Sequence, residues 1–250
     1  MTTVVTTIEG RTFLSCVQRI VAASGETRPG SLVSPTDRVY RAMMAVNNAY
    51  DRIWNAAKWP FRHVPQEIAL VANKMWYELP EDFQRIKTPP CYNSGNGKLT
   101  YLDYEVLLGQ HPDIRSFPPG GDGQSLTTIA QHTSNSYFGI PSIYTLDGNG
   151  YLGLFLVPSA DFIADQPYLQ YRYWRVQPSL FDDGDVLEFP KELWYAHHLL
   201  ALGEYKQMLE YSDSVNDLAM GEAKLNEAIA MYGLLDTRSD FQVSDINYNE

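Results

Sequence analysis

The 250-residue sequence has only two cysteines and no long apolar run. Cys16 and Cys91 are too few for a disulfide scaffold or a cysteine zinc site, so we expect two free thiols in a reducing compartment. No stretch approaches the roughly 20 apolar residues that a membrane-spanning helix needs. The first residues also lack the basic and apolar regions of a secretory leader. These absences predict a soluble protein that is not exported.

The spacings that mark catalytic, metal or nucleotide sites are also missing. His197 and His198 are adjacent, so on a helix they point about 100° apart and do not form a metal-binding pair. Residues 182–185 resemble the start of a calcium loop, but Leu193 stands where an EF-hand needs glutamate. The glycines at 120–123 lack a P-loop lysine, and no G-x-S-x-G motif occurs. We therefore expect no enzyme, no cofactor and no metal site.

Charge is distributed unevenly along the chain. Of the net charge of −11, residues 1–65 contribute +4, residues 66–180 contribute −4 and residues 181–250 contribute −11. Because phosphate binding needs clustered Lys and Arg, this balance argues against a protein that grips nucleic acid. A basic and an acidic end can instead pack on each other or pair between neighbouring copies, or the acid can simply form a solvated surface.

Two helices are predicted in residues 1–65. The apolar face of the first ends at Ser24-Gly25, and its members are Phe13, Leu14, Val17, Ile20 and Val21. The second begins with Ser34 as N-cap, Pro35 in the first helical position and Asp37 three residues after the cap. It ends at Trp59-Pro60-Phe61-Arg62, because proline cannot continue a helix.

Short strands and tight turns predict an antiparallel β domain in residues 66–180. The predicted strands are residues 66–72, 74–79, 85–92, 99–104, 143–146, 152–156 and 168–174. The first two have the pattern of a hairpin around Asn73-Lys74, and 143–156 has that of a hairpin around Asp147-Gly148-Asn149-Gly150. Residues 109–136, rich in Gly, Pro, Ser and Thr, are predicted to be a long surface loop.

Helices return in residues 181–233. One is predicted from 193 to 211, after Pro190 in a first helical position, and it is apolar around much of its circumference. A second runs from Ser214 to Tyr232, with Gly233 as a C-cap signal. Residues 234–250 lose this periodicity. They are predicted to form an extended tail, in which Phe241, Ile246 and Tyr248 anchor a partner protein.

This order of elements predicts an α+β fold. The N-terminal and C-terminal helix pairs form one helical bundle, and the antiparallel β domain is inserted between them in the chain. Trp59 and Phe61 stand at the junction. With Trp54 and Phe83, they are predicted to pack the bundle against the β domain.

The aromatic residues also allow a different function. Tyr168, Tyr171, Tyr173 and Trp174 are suited to a sugar-stacking platform, as in the carbohydrate-binding β module of a receptor-binding component, or to a core or subunit interface. A hydrolase would need converging polar residues, and no spacing nominates them.

Several short motifs, taken in their order, resemble one family. They are Ala23-Ser24-Gly25-Glu26, Trp59-Pro60-Phe61, Leu79-Pro80-Glu81-Asp82-Phe83-Gln84-Arg85-Ile86, Gly139-Ile140-Pro141 to Tyr144, Leu156-Val157-Pro158, Tyr171-Arg172-Tyr173-Trp174 and Pro178 to Leu180. The chain is similar to the head-to-tail adaptor of short-tailed bacteriophages, the tail tubular protein A family. Pro60, Arg62 and the long loop at 109–136 depart from that family's usual pattern.

The resemblance implies a virion protein at the head–tail junction, made in the cytoplasm of the bacterial host. It implies a homo-oligomeric ring of twelve copies that docks on the portal protein, continues the DNA channel and carries the tail nozzle protein. Double-stranded DNA would then pass without specific binding. Acidic helices near the lumen would let DNA slide, and the C-terminal aromatics would insert into portal clefts.

Overall fold

The computed structural model describes residues 11–92, 97–112, 114 and 138–244, without the side chains of residues 138 and 233–244. It is a mixed structure of helices and sheets, which confirms the predicted α+β class. The chain divides into two compact units. The helical unit comprises Met1–Phe61 and Gln177–Glu250, and the β unit comprises Arg62–Val176.

Four long helices of the helical unit contribute to one hydrophobic core. They are α1 (Phe13–Ala23), α2 (Asp37–Ala56), α5 (Trp194–Met208) and α6 (Ser214–Ser244). The predicted face of α1 is confirmed, since Phe13, Val17, Ile20 and Val21 are almost fully buried. Helix α5 is buried on several sides, as predicted, because leucines and alanines occupy most of its circumference.

Helix α2 begins two residues later than the sequence predicted. Its N-cap is Thr36, whose hydroxyl accepts a hydrogen bond from the backbone N–H of Val39 at 3.5 Å. Ser34 instead has a positive φ of 54°. The prediction of Ser34 as N-cap was wrong, because Thr36 supplies the same capping hydroxyl on the far side of Pro35. Asp37 therefore becomes the first helical residue, where its carboxylate favours the positive end of the helix dipole.

The acidic turn at residues 182–185 holds the start of α1. Backbone N–H groups of Phe13 and Leu14 donate to the carbonyls of Asp185 and Asp183, at 2.7 and 3.3 Å. These are donors of the first helical turn, which have no partner inside a helix. The Asp183 carboxylate also accepts from the Leu32 N–H at 2.7 Å. The acidic turn therefore has a structural role, because it accepts hydrogen bonds from the start of α1 and from Leu32.

Helix α6 runs for 31 residues, from Ser214 to Ser244. The predicted stop at Gly233 and the predicted extended tail from residue 234 were therefore wrong as far as Ser244. A glycine inside a helix costs only about 1 kcal/mol relative to alanine, and no proline follows it to force an end. Residues 245–250 lie outside the described part of the chain.

The described residues of the β unit form three small sheets and two short helices. Its elements are β1 (His63–Ala69), β2 (Trp76–Glu78), β3 (Phe83–Tyr92), β4 (Thr100–Tyr101), α3 (Tyr104–Gln110), β5 (Phe138–Gly139), β6 (Ile143–Leu146), β7 (Tyr151–Phe155), β8 (Val157–Pro158), α4 (Ala160–Asp165) and β9 (Tyr168–Arg175). The sheet orders are β1-β9-β3, β2-β7-β6-β4 and β5-β8.

Of the two predicted hairpins, the structure confirms the later one. Strands β6 and β7 pair antiparallel with Ile143 opposite Phe155 and Leu146 opposite Leu152. The predicted hairpin around Asn73 was wrong, because β1 pairs with β9 and β2 pairs with β7. The turn itself exists, with Asn73 at a positive φ of 61°, but it carries the chain from one sheet to another.

The pairing in the β unit is not purely antiparallel. Strand β4 pairs parallel with β6, and β5 pairs parallel with β8, so the prediction of an antiparallel domain was wrong for these two pairs. Long crossover connections allow parallel pairing where a tight turn does not. The predicted loop at 109–136 begins with the last two residues of α3. Apart from residues 109–112 and 114, it lies outside the described residues.

Two glycines allow close contact between α5 and α6. A Cβ added at Gly203 would lie 2.7 Å from Leu218 Cγ and 2.9 Å from the Leu218 backbone nitrogen. A Cβ at Gly221 would lie 2.8 Å from Leu200 Cγ. The two glycines thus set the distance between these helices, since backbone atoms leave no room for a methyl group.

We expect Gly203→Ala to lower the free energy of unfolding by about 1–3 kcal/mol, because overpacking outweighs the better helix propensity of alanine. Urea denaturation measures this. Gly109→Ala in α3 is the matched control, because nothing lies within 4 Å of the added Cβ. It should be neutral or slightly stabilising. Equal effects of the two substitutions would contradict the close-contact explanation.

Candidate assembly surfaces

Trp59 lies at the centre of an aromatic cluster in the helical unit. It is fully buried, stacks on Phe61 with ring centroids 5.7 Å apart, and meets Tyr232 edge-on at 5.5 Å. Its indole N–H donates to the carbonyl of Ile53 at 2.6 Å. That carbonyl belongs to the last turn of α2, where helical carbonyls lack intrahelical partners. Trp59 therefore caps α2 from outside the helix.

The four aromatic residues predicted to pack the bundle against the β domain fall in both units. Trp54 and Phe61 meet edge-on at 5.7 Å and belong, with Trp59, to the helical unit. Phe83 begins β3 in the β unit and packs on Tyr173 at 5.6 Å. The structure thus brings three of the four together, and the role of all four between the units stays a prediction.

The three predicted anchors of a partner protein lie at the end of the chain. The backbone of Phe241 is part of α6. Ile246 and Tyr248, and the side chain of Phe241, lie outside the described part of the structure. Among the described side chains of α6, Tyr232 is the last that packs against the helical core.

Three of the four aromatic residues in the β9 row are buried. Tyr171 and Tyr173 are each 3% exposed and Trp174 is 6% exposed, while Tyr168 is 42% exposed. The Tyr173 hydroxyl donates to the Asp82 carboxylate at 2.7 Å. Burial, followed by this hydrogen bond, raises the pKa of Tyr173. A sugar-stacking platform needs exposed ring faces, so the row does not form the surface that a carbohydrate-binding module would use.

A basic surface covers Trp174 in the β unit. The cationic groups of Arg62, Arg85 and Lys87 lie 5.4, 5.2 and 5.8 Å from its ring centroid. Each distance is within reach of a cation–π contact. The pKa of Arg62 is lowered by burial first and then by the charges of Arg85 and Arg175. Basic side chains thus converge here, although the β unit holds more Asp and Glu than Lys and Arg.

A second basic surface forms a cavity of about 550 Å³ in the helical unit. It is lined by α1, the loop that follows it and the start of α5, with Arg11, Arg19, Ala22, Ala23, Arg28, Lys191, Trp194, Tyr195 and His198 as its lining residues. The Arg11 guanidinium lies 4.5 Å from the Trp194 ring centroid, and the Lys191 ammonium 5.9 Å. No carboxylate is among these lining residues.

The sequence did not predict this cavity. Its four cations come from residues 11, 19, 28 and 191, so no local motif marks it. The only sequence signal was the excess of basic residues in 1–65. The pKa of Arg11 is lowered by burial and then by the charge of Arg19. The pKa of His198 is lowered by burial first and then by Arg11 and Arg19.

The histidine pair serves the packing of the helical unit. His197 is 3% exposed, and its Nε2–H donates a hydrogen bond to the Val46 carbonyl at 3.1 Å. His198 lines the basic cavity instead. Within residues 11–92, 97–112, 114 and 138–244, no cluster of three or more His, Cys, Asp or Glu residues could hold a metal ion.

Among the described residues, no helix combines the length and the apolar character that crossing a bilayer requires. The 31 residues of α6 are long enough, but they include charged residues along much of their length.

Comparison with known proteins places the chain among phage structural proteins. A family model described as SU10 adaptor protein matches residues 11–246, nearly the whole chain. The class is therefore a structural adaptor of a bacteriophage virion, which contacts other head–tail proteins and is generally not enzymatic. The chain belongs to the SU10 adaptor protein family. A comparison with curated proteins found no match.

Proposed function

We propose that this adaptor forms a ring that docks on the portal protein, continues the DNA channel and carries the tail nozzle. The ring of twelve copies and both neighbours follow from the resemblance to the tail tubular protein A family. The proposal accounts for the concentration of acidic residues in residues 181–250.

The length of α6 is the observation that carries portal docking. At 1.5 Å per residue, its 31 residues span about 46 Å. The twelve residues from 233 to 244 add about 18 Å beyond Tyr232, the last described side chain in the helical core. A helix that continues this far can present Phe241 and the following residues to a second protein. Helix-in-groove recognition works in this way, through apolar anchors on one helix.

Charge supports a channel that does not hold DNA. The net charge of −11 repels a polyanion, and the excess acid lies in residues 181–250. The basic surface around Trp174 would slow DNA if it faced the lumen, because each Lys or Arg near a phosphate adds attraction. We therefore place Arg85 and Lys87 away from the channel wall in the proposed ring.

Replacing the three C-terminal anchors tests the docking contact. We expect the triple variant Phe241→Ala, Ile246→Ala, Tyr248→Ala to bind the portal protein of the same phage at least about thirtyfold more weakly, since one interface anchor contributes 2 kcal/mol or more. The matched control is Val215→Ala, Met220→Ala, Met231→Ala, because these α6 side chains are 69%, 50% and 43% exposed. Sedimentation of portal rings with each purified variant measures binding.

Unchanged portal binding by the triple variant would contradict the docking contact. Equal weakening by the control would assign the loss to α6 in general rather than to its end. An image of the wild-type complex tests the ring and channel. A map without a ring below the portal, or with Arg85 and Lys87 along the lumen, would overturn that part of the proposal.

A further inference from the structure

The basic cavity of the helical unit has the construction of a binding site for an anionic chain. Its volume of about 550 Å³ is within the range of ligand pockets. Four cations surround it with two aromatic side chains, Trp194 and Tyr195, and no carboxylate lines it. The like charges of Arg11 and Arg19 act on each other here, since Arg19 contributes to the lowered pKa of Arg11.

The elements that line the cavity are fixed before any partner arrives. The backbone carbonyl of Arg11 accepts from the Leu187 N–H at 3.1 Å. The loop that carries Arg28 is tied to α1, because the Gln18 side chain donates to the Pro29 carbonyl at 2.8 Å. Arg11 lies against the Trp194 ring at 4.5 Å. Such preorganisation reduces the entropy that a bound partner must overcome.

We propose that this cavity binds an acidic peptide segment, either of a neighbouring copy of this chain or of another virion protein. Arginine pairs with carboxylates through two parallel hydrogen bonds, and the walls formed by Trp194 and Tyr195 bury the apolar parts of such a segment. The inference does not rest on the proposed portal contact of the C-terminal residues, because the cavity is built from α1 and α5.

Two features favour an acidic peptide over nucleic acid. The phosphates of a duplex lie along a stiff cylinder, which does not enter a cavity of about 550 Å³. A single strand would fit the combination of cations and aromatic rings, but the net charge of −11 repels a long polyanion. A short acidic segment, unlike a long polyanion, places its negative charges only next to the cations of the cavity.

A fluorescein-labelled hexaglutamate peptide is the probe, and fluorescence anisotropy at low salt measures its binding to the full chain. Hexaglutamine and a single-stranded DNA hexamer are the comparison ligands. We expect hexaglutamate to bind with one site per chain and more tightly than either. The double variant Arg19→Glu, Arg28→Glu should bind it at least about tenfold more weakly. Both side chains are exposed, and their replacement leaves two cations and two carboxylates, which cancels the positive charge of the cavity.

Lys58→Glu, Lys98→Glu is the matched control. It changes the net charge by the same amount, and both lysines are exposed and outside the cavity. Its affinity for hexaglutamate should stay within about twofold of the wild type. Equal losses in the two variants, or tighter binding of the DNA hexamer, would overturn the proposal. Circular dichroism checks the fold, and Arg19→Gln, Arg28→Gln repeats the test without introducing new carboxylates.

A measurement of self-association distinguishes the two possible sources of the acidic segment. Sedimentation of the concentrated wild-type chain at low and high salt should show salt-sensitive association if a neighbouring copy supplies the acid. The cavity variant should then lose that association and the control should keep it. If the wild type binds hexaglutamate but does not self-associate, the acidic segment comes from another virion protein.

Discussion

Replacing Trp59 with alanine should lower the free energy of unfolding by about 3–5 kcal/mol, the usual cost of removing a large buried aromatic side chain. Trp59 is fully buried between Phe61 and Tyr232. The substitution leaves a cavity and also leaves the Ile53 carbonyl without the indole donor that lies 2.6 Å away. Urea denaturation, followed by circular dichroism at the helical wavelength, measures the loss.

Two further variants separate packing from capping. Trp59→Phe keeps most of the aromatic volume but removes the N–H, so we expect it to cost about 1–3 kcal/mol, less than the alanine variant. Tyr40→Ala is the control on α2, because Tyr40 is 53% exposed and should change stability by no more than about 0.5 kcal/mol. If Trp59→Ala cost no more than Tyr40→Ala, the central position of Trp59 in this unit would be refuted.

Local patterns predicted the elements whose partners lie nearby in the chain. The face of α1 was visible from three- and four-residue spacing, and it is buried as expected. The hairpin of β6 and β7 was visible from alternation around the Asp147–Gly150 turn, and its register is regular. Leu169, Tyr171 and Tyr173 of β9 share one face, as the two-residue period of a strand requires, and that face is buried.

Pairing between distant segments was not visible in the sequence. Strand β9 lies between β1 and β3, although about a hundred residues separate it from β1. The prediction at Asn73 was therefore correct for the turn and wrong for the pairing of the two strands that flank it. Helix α3 was missed because its seven residues are too short for a clear periodicity. The length of α6 was not predicted, because glycine favours a helix C-cap but does not force one, and the chain stays helical through Gly233.

The features of the candidate surfaces also divide into those visible in the local sequence and those that depend on contacts between distant segments. The proline that follows Trp59 marks this position in the sequence, but the hydrogen bond from Trp59 to Ile53 depends on how the chain bends after α2. The sequence pattern of residues 182–185 does not reveal their contact with the start of α1, which only the fold brings about. The basic cavity joins residues 11–28 to residues 191–198, so its charge pattern exists only in three dimensions.

His197 should make the helical unit sensitive to acid. Its ring is buried near Phe189, with ring centroids 5.5 Å apart, and its Nε2–H donates a hydrogen bond to the Val46 carbonyl. Burial lowers the pKa of His197 to about 4, from an ordinary value of 6.5, and the nearby charges of His198 and Arg11 add to this effect. The hydrogen bond to Val46 opposes it only in part. The folded chain thus keeps this imidazole neutral.

The sign of the pH effect follows from these two values. Between pH 6.5 and about 4, the unfolded chain binds a proton at His197 and the folded chain does not. Stability is therefore lost as the pH falls through this window. One pKa unit corresponds to about 1.4 kcal/mol, so His197 alone should lower the free energy of unfolding by about 3 kcal/mol between pH 7 and pH 4. Urea denaturation at a series of pH values measures this loss.

His197→Gln tests the assignment, because its amide can still donate to Val46 but does not titrate. The variant should be less stable than the wild type at pH 7, and its decline from pH 7 to pH 4 should be about 3 kcal/mol smaller. His198→Gln is the comparison, since His198 also has a lowered pKa but is only partly buried, and it should flatten the curve less. Carboxylates titrate in all three proteins, so they cancel in the differences. A His197→Gln curve as steep as that of the wild type would show that the acid sensitivity of the helical unit originates elsewhere.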